Sequence, residues 1–489
     1  MAGVVLGAII ALTLVVAWRA RVVRRRDTLA EFFVGSRSFV SLLFFFLAVG
    51  EIYSIGTLVG FPGGIYAGGA TYAIWFMGYI LLAYPIGYFI NPLVWRGGRR
   101  YGAETGPDLY ERHFRSKGLG LTAAISGMIF IIPWGQLQFA GLEVVVHAFA
   151  PHITPTYALA LAAALALGYI VLSGMRATAA VSIVKDVFMV TGIVVVGVAA
   201  WAAAGSPAPI FHQLVQAHST GAGIAILVPA AAAPFVLSTI VFQAAGFYAS
   251  PFGLQYVFTG KSEKAVAKAQ VFMPLYMLMY PFLIVAAFWA ALHIHSLSTT
   301  PDLAVVAAGQ HLLPPALLGV LAGGAALSAI VVLTGLSLTV SAVVSKNLVR
   351  SYINPRATDP QVKRWAQVVV ATYLLISVLL TVLAPTLMLN LINTAYYGFT
   401  QFFPGLIAIL FWRRASAWGV GSGLVVGDLV ALALYFSHTL PWGLNLGLIA
   451  LVINAVVLVL VSLARPGSFT PVAALPTGSI DPAEAGDTL

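Results

Sequence analysis

The stretch Phe46–Gly69, FLAVGEIYSIGTLVGFPGGIYAGG, begins as an apolar membrane helix and then stops behaving like one. It places Glu51 at bilayer depth and is interrupted by Gly50, Gly56, Gly60, Pro62, Gly63 and Gly64. A carboxylate in hydrocarbon costs at least ~2.5 kcal/mol on insertion scales, so it faces a partner or a water-filled cavity. Backbone freed by Gly and Pro at that depth survives only inside protein or against a cavity. Charge and broken backbone in one span are the marks of a discontinuous helix at a solute site.

The rest of the chain agrees with a membrane setting. Its 489 residues are 60% hydrophobic and 8% charged, and its mean hydropathy is +0.97. Soluble domains carry about a quarter charged residues, so the fold class is an all-α polytopic membrane protein. Runs this long do not alternate as barrel strands do. The absence of cysteine excludes disulfides and thiolate metal sites. MAGVVLGAIIALTLVVAW has its arginines after the apolar run, so it reads as a retained helix and not a cleaved signal.

Windows of roughly 20 apolar residues give about thirteen helices. Their spans are 3–19, 38–61, 71–95, 119–148, 154–174, 178–204, 222–248, 269–294, 314–345, 364–384, 387–412, 416–437 and 440–464. Every second loop is basic: Arg19 to Arg37, Arg96 to Lys117, Arg176, Lys261 to Lys268, Lys346 to Arg364, Arg413 with Arg414, and Arg465. The intervening loops contain no Lys or Arg. The positive-inside rule therefore predicts an N-terminus outside and a C-terminus in the cytoplasm. The net charge of +10 is topological, and nucleic acid is not an expected partner. Residues 466–489, rich in Pro, Gly, Ala and acids, are expected to be disordered.

Four stretches resemble the sodium:solute symporter family. EFFVGSRSF (Glu31 to Phe39) is similar to the family's entry into its second helix, and VGFPGGIYAGG (Val59 to Gly69) to the end of the broken first core helix. SPFGLQYVFTGKSEKAVAKAQ (Ser250 to Gln270) resembles the loop ending in K-S-x-K-x-A, and PGLIAILFWRRASAWGVGSGLVVG (Pro404 to Gly427) the F-W-x-R segment. Within the family, GEIYSIGTLVG, IIPWGQLQFAGL (Ile131 to Leu142) and GMRATAAVSIVKD (Gly174 to Asp186) look most like the bacterial monocarboxylate permeases.

That resemblance implies a LeuT-like 5+5 inverted repeat in the inner (plasma) membrane. Residues 1–37 would form a peripheral first helix and basic loop. The repeats would be 38–204 and 205–412, with 413–465 forming two more peripheral helices. The second repeat has its own interruption, FQAAGFYASPFG (Phe242 to Gly253), and paired breaks are the expected signature of a midplane site. The implied activity is secondary import of a small monocarboxylate such as lactate or pyruvate by alternating access. The alternative is sodium-coupled symport of an amino acid such as proline or alanine. No enzyme constellation and no Walker A sequence is present.

Candidate substrate donors are Tyr53, Ser54 and Thr57, Gln136 and Gln138, Gln243 and Tyr248, and Asn393, Tyr396, Tyr397 and Gln401. Each alone is more often a helix–helix hydrogen bond than a ligand contact. Glu51 reads either as a structural carboxylate capping freed amides or as a proton site raised by desolvation. Lys185 and Asp186 align with the family's W-T-D position, but Lys replaces Thr. A fixed ammonium there would repel sodium or stand in for it; the bland alternative is a lysine snorkelling to the membrane face. The family's sodium carbonyls would fall on Gly50, Tyr53 and Ser328. Its hydroxyl positions, counted back from Asn347, fall on Val331 and Val332, which offer no oxygen. No cofactor is expected, and the coupling ion is a proton or, alternatively, sodium.

Overall fold

The computed structural model describes residues 1–22, 34–149, 175–219 and 224–475, with isolated positions between 154 and 168. Most of the expected span 154–174 and the loop 23–33 lie outside the described residues, as do residues 476–489. The first half contains α1 (Ala2–Val22), α2 (Ser41–Ile52), a π-helical turn (Gly56–Gly60), α3 (Phe61–Gly68) and α4 (Ala70–Arg100). It continues with α5 (Gly106–Phe114), α6 (Lys117–Phe149), α7 (Met175–Ala203) and α8 (Pro207–Ser219). The second half contains α9 (Ala233–Gly246), α10 (Pro251–Thr259), α11 (Glu263–Phe272), a 3-10 stretch (Met273–Met279), α12 (Tyr280–His293) and α13 (Ala304–Leu312). There follow α14 (Pro315–Ala342) with a π-helical continuation (Val343–Ile353), α15 (Asp359–Leu383), α16 (Met388–Phe399), α17 (Phe402–Phe411), α18 (Ala417–Phe436) and α19 (Leu446–Ala464). Among the described residues the sole strand-like feature is one isolated bridge, Phe39 to Gly260.

Nine of the described spans are long and apolar enough to cross a bilayer alone, ten when α9 and α10, bent by 43°, count as one. The difference from thirteen comes from segments that do not run as single described helices. Residues 38–61 split at Tyr53–Ser54, residues 387–412 split at Thr400–Gln401, and 154–174 is largely undescribed. The second split was expected to be continuous helix. Thr400 Oγ1 donates instead to Phe242 O at 3.2 Å, tying the split to α9.

Burial orders the bundle. The α14 span has 78% of its apolar window enclosed, against 17% for α1 and 33% for α18 and α19. So α14 is the most enclosed of the spans and α1 the least.

The interruptions have local causes. Tyr53 leaves helical geometry (φ −92°, ψ 79°), and Ser54 Oγ accepts from Gly56 N at 3.1 Å to restart the helix. Gly69 turns the chain from α3 into α4 at φ 62°, where a Cβ would meet Ala225 O at 2.0 Å. In the second half Ser250 caps α10 by accepting from Gly253 N at 3.1 Å, and Pro251 sits in the first turn, where its missing N–H costs nothing.

The basic loops meet at one end of the bundle. Lys261 N donates to Phe39 O at 2.8 Å, Arg37 to Ala103 O, and Lys346 pairs with Glu104. Arg96 grips Glu263 through two nitrogens (3.2 and 2.6 Å) and donates to Leu475 O at 3.1 Å. Residues 466–475, expected to be disordered, are ordered here. Gly467 N and Phe469 N donate to Arg414 O and Arg413 O, Phe469 packs on His113 and Phe114, and Val472 is fully buried. Two apolar anchors outweigh a composition that averages as flexible.

Candidate functional site

At the interrupted end of α2, two carbonyls lack backbone partners and face α7. Lys185 Nζ donates to Gly50 O at 3.0 Å and to Tyr53 O at 2.9 Å. Asp186 Oδ1 lies 2.6 Å from the same ammonium. Lys185 is 0% exposed and Asp186 2%, so the lysine does not snorkel. Val331 and Val332 of α14 are buried. The hydroxyls of Ser328 and Thr334 donate to their own helix, to Gly324 O at 2.7 Å and Ile330 O at 2.8 Å. Sodium needs a nearly complete oxygen shell. The two carbonyls that converge here already hold an ammonium.

The two broken spans meet across α4. The Tyr53 hydroxyl bonds that of Tyr84, and the Tyr53 ring stacks on Tyr276 at 4.9 Å. Tyr79, on the same helix, packs on Phe247 of the second interruption at 5.9 Å and on Tyr396 of α16 at 5.6 Å. Tyr248 donates to Gln270 Oε1 at 2.9 Å. Tyr280 packs edge-on to Tyr53 and Phe61. The result is a buried cluster of phenols between the breaks. Phenol hydroxyls are neutral donors, the kind of group that can bind a small anion without a fixed positive charge.

The candidate donors divide accordingly. Tyr53, Thr57 and Tyr248 gather in this cluster, and Ser54 serves the break itself. Gln136 donates instead to Leu380 O (3.1 Å) and Ala384 O (2.9 Å) of the α15 end. Gln243 donates to Asn393 Oδ1 at 2.8 Å. Gln401 donates to Tyr397 O at 2.9 Å and accepts from Asn454 at 3.1 Å. Tyr397 stacks on Phe242. Gln138 is fully buried and donates to Trp134 O at 3.3 Å. The backbone of Glu51 lies in α2; its side chain is outside the described residues. The sequence reading missed Tyr79, Tyr84, Tyr276 and Tyr280, whose signal was tyrosine density on two spans that carry no break.

An acid ties separate elements together at each end of the bundle. At the basic end, Asp108 joins α5 to Asn347, as argued below. At the other end Asp302, in the loop between the α12 and α14 spans, accepts from Met388 N at 3.1 Å. It also packs against Gly63 of α3. Burial pushes the Asp302 carboxyl up to about 7, partly offset by the Met388 N–H. The closed contact therefore binds a proton more tightly than an exposed Asp does. Its stabilisation is complete below about 4, the ordinary carboxylate range, and is lost as pH rises through about 7. The thermal midpoint of the purified protein should fall between pH 6 and pH 8. Asp302→Asn, neutral but still able to accept from Met388, should flatten that segment of the curve; an unchanged slope would refute the assignment.

The family model described as Sodium:solute symporter family matches residues 32–427. "Uncharacterized symporter YhjB" of Bacillus subtilis is 28% identical, with 89% of this chain and 91% of that protein aligned. The "Monocarboxylate transport permease protein" of Rhizobium johnstonii is 25% identical over 91% of this chain and 92% of its own. Proline transporters also match, among them OpuE of Bacillus subtilis, 22% identical over 77% of each chain. Among solved structures, a Na+-coupled sialic acid symporter in a substrate-bound outward-open state superposes with a TM-score of 0.79. It is 16% identical and covers 96% of this chain and 98% of its own. The bundle thus has the LeuT-like fold of such transporters.

Proposed function

Because this chain belongs to the sodium:solute symporter family and is a secondary symporter of the membrane, not an enzyme, we propose that it imports a small monocarboxylate of the lactate or pyruvate class by alternating access. Coupling is to protons or independent of sodium. The repeats are 38–204 and 205–412, and the basic end is cytoplasmic in the plasma membrane, with the N-terminus outside. The observation that carries this reading is the phenol cluster between the two breaks: Tyr53, Thr57 and Tyr248 bring neutral hydroxyls of the kind a compact acid would use. The likeness to the Rhizobium permease supports the same substrate class. Glu51, Lys185 and Asp186 are the groups that would manage charge during the cycle, with Gly50 and Ser328 beside them. The broken-helix ends present backbone dipoles to a carboxylate.

Counterflow in proteoliposomes tests this directly. Lactate and pyruvate should exchange with each other and resist competition by proline or alanine, in sodium and in choline medium alike. Exchange of proline alone, or exchange only in sodium, would overturn the reading. In the same vesicles Glu51→Gln should keep counterflow yet lose stimulation by an inward proton gradient. Wild-type stimulation in that variant would remove Glu51 from the mechanism.

A further inference from the structure

The end of α2 carries an inference that rests on the carrier reading and deepens it. A helix that stops inside a membrane leaves its last carbonyls without amide partners and its negative dipole end facing the gap. In hydrocarbon those oxygens need a donor, and a cation suits them best. Gly50 O and Tyr53 O are such a pair, and the donor that reaches both is the Lys185 ammonium, at 3.0 and 2.9 Å. Asp186, 2.6 Å from the same nitrogen, makes the pair neutral overall and lets the ammonium keep its charge in a fully buried place.

A second cation at these carbonyls would sit about 4 Å from the first. At that distance like charges repel, and the two carbonyl oxygens are already taken up by the ammonium. The side chains of Val331 and Val332 on α14, where the family's hydroxyls would fall, supply no oxygen that could offset it. We propose that Lys185 is a tethered cation: it permanently takes the place a coupling sodium would hold, and so the first interruption is held in shape without sodium. Lys185 is a positioning residue here. It acts on the substrate site through Tyr53, whose carbonyl it holds and whose ring belongs to the phenol cluster.

The test uses the purified full-length protein and no substrate, so a wrong solute class would leave its result unchanged. The wild-type thermal midpoint should be the same in sodium chloride and choline chloride at equal ionic strength. Lys185→Ala should lower the midpoint, and sodium or ethylammonium, but not the bulkier choline, should recover about 5 °C of the loss. Lys185→Arg, which keeps a cation, should stay insensitive to sodium. Stabilisation of the wild type by sodium would overturn the proposal, as would a Lys185→Ala protein that neither small cation restores. For a variant too unstable to purify, equilibrium binding of labelled sodium to the wild type decides. No displaceable binding is expected, and stoichiometric binding overturns the assignment.

Discussion

Exchanging Asp108 for alanine should release the closure at the basic end of the bundle and lower uptake at least tenfold. Its carboxylate accepts from Glu104 N (2.9 Å) and Thr105 N (3.1 Å) through one oxygen, and from Asn347 Nδ2 (2.6 Å) through the other. Thr105 completes the knot by donating to Asn347 Oδ1 at 2.9 Å and capping Asp108 N at 3.2 Å. All three side chains are buried. Asn347 lies in the π-helical continuation of α14, the most enclosed span, whereas Asp108 opens α5. The knot therefore fastens the short helix α5 to the central span.

Alanine would leave three donors buried without an acceptor, at about 1–3 kcal/mol each. A carrier's two end states differ by only a few kcal/mol, so that loss is enough to reverse their populations. The chain has no cysteine of its own, which makes the readout clean. A cysteine at Thr339, which lines a small cavity with Pro107, Pro251 and Val343 behind the knot, should react faster with a membrane-impermeant thiol reagent in the Asp108→Ala background. Unchanged labelling together with unchanged uptake would show that this contact does not gate the basic end.

Much of the fold was legible because membrane spans are written in long, nearly context-free runs. The apolar windows, the basic alternation and the Gly/Pro clusters each act locally, and they located α2–α3 and α9–α10 as the discontinuous spans. The break between α16 and α17 escaped because its cause is a contact with another helix, from Thr400 to Phe242 O. The site was legible only in part, for a related reason. Lys185 stood out because it replaces an expected Thr, yet no one-dimensional reading says that its nitrogen ends on Gly50 and Tyr53, some 130 residues earlier. Gln136 and Gln401 carried the same promise as Tyr53 in the sequence. Rotation about their helices decided otherwise, turning one to the α15 end and the other to Asn454. Asp302 sits in a short 3-10 turn between spans, and the Asp108–Asn347 knot joins a short helix to the far end of the central span, so neither pairing follows from the periodicity of one segment.

The tethered cation also depends on how closely α7 approaches α14, and this makes Gly324→Val the second large effect expected. A Cβ at Gly324 would lie 2.8 Å from both Met189 Cα and Phe188 O, and one at Gly192 would lie 2.9 Å from Leu321 Cα. The two helices touch backbone to backbone, as small residues permit in membranes. No rotamer change relieves a clash with main chain, so a side chain at 324 must push the helices apart. Overpacking of this kind costs about 1–3 kcal/mol, and more where backbone is the obstacle. Lys185 lies one helical turn from Met189 on α7, so the same displacement draws its nitrogen away from carbonyls now at 3.0 and 2.9 Å. Hydrogen bonds of this type span about 2.7–3.2 Å and are lost by about 3.6 Å. Gly324→Val should therefore lower the thermal midpoint and abolish counterflow together. Unlike Lys185→Ala, it should gain nothing from sodium or ethylammonium, because the lysine still occupies the gap. Wild-type stability in Gly324→Val would mean that the α7–α14 contact is looser than its geometry requires. Recovery by either small cation would mean that the lysine had left the carbonyls altogether.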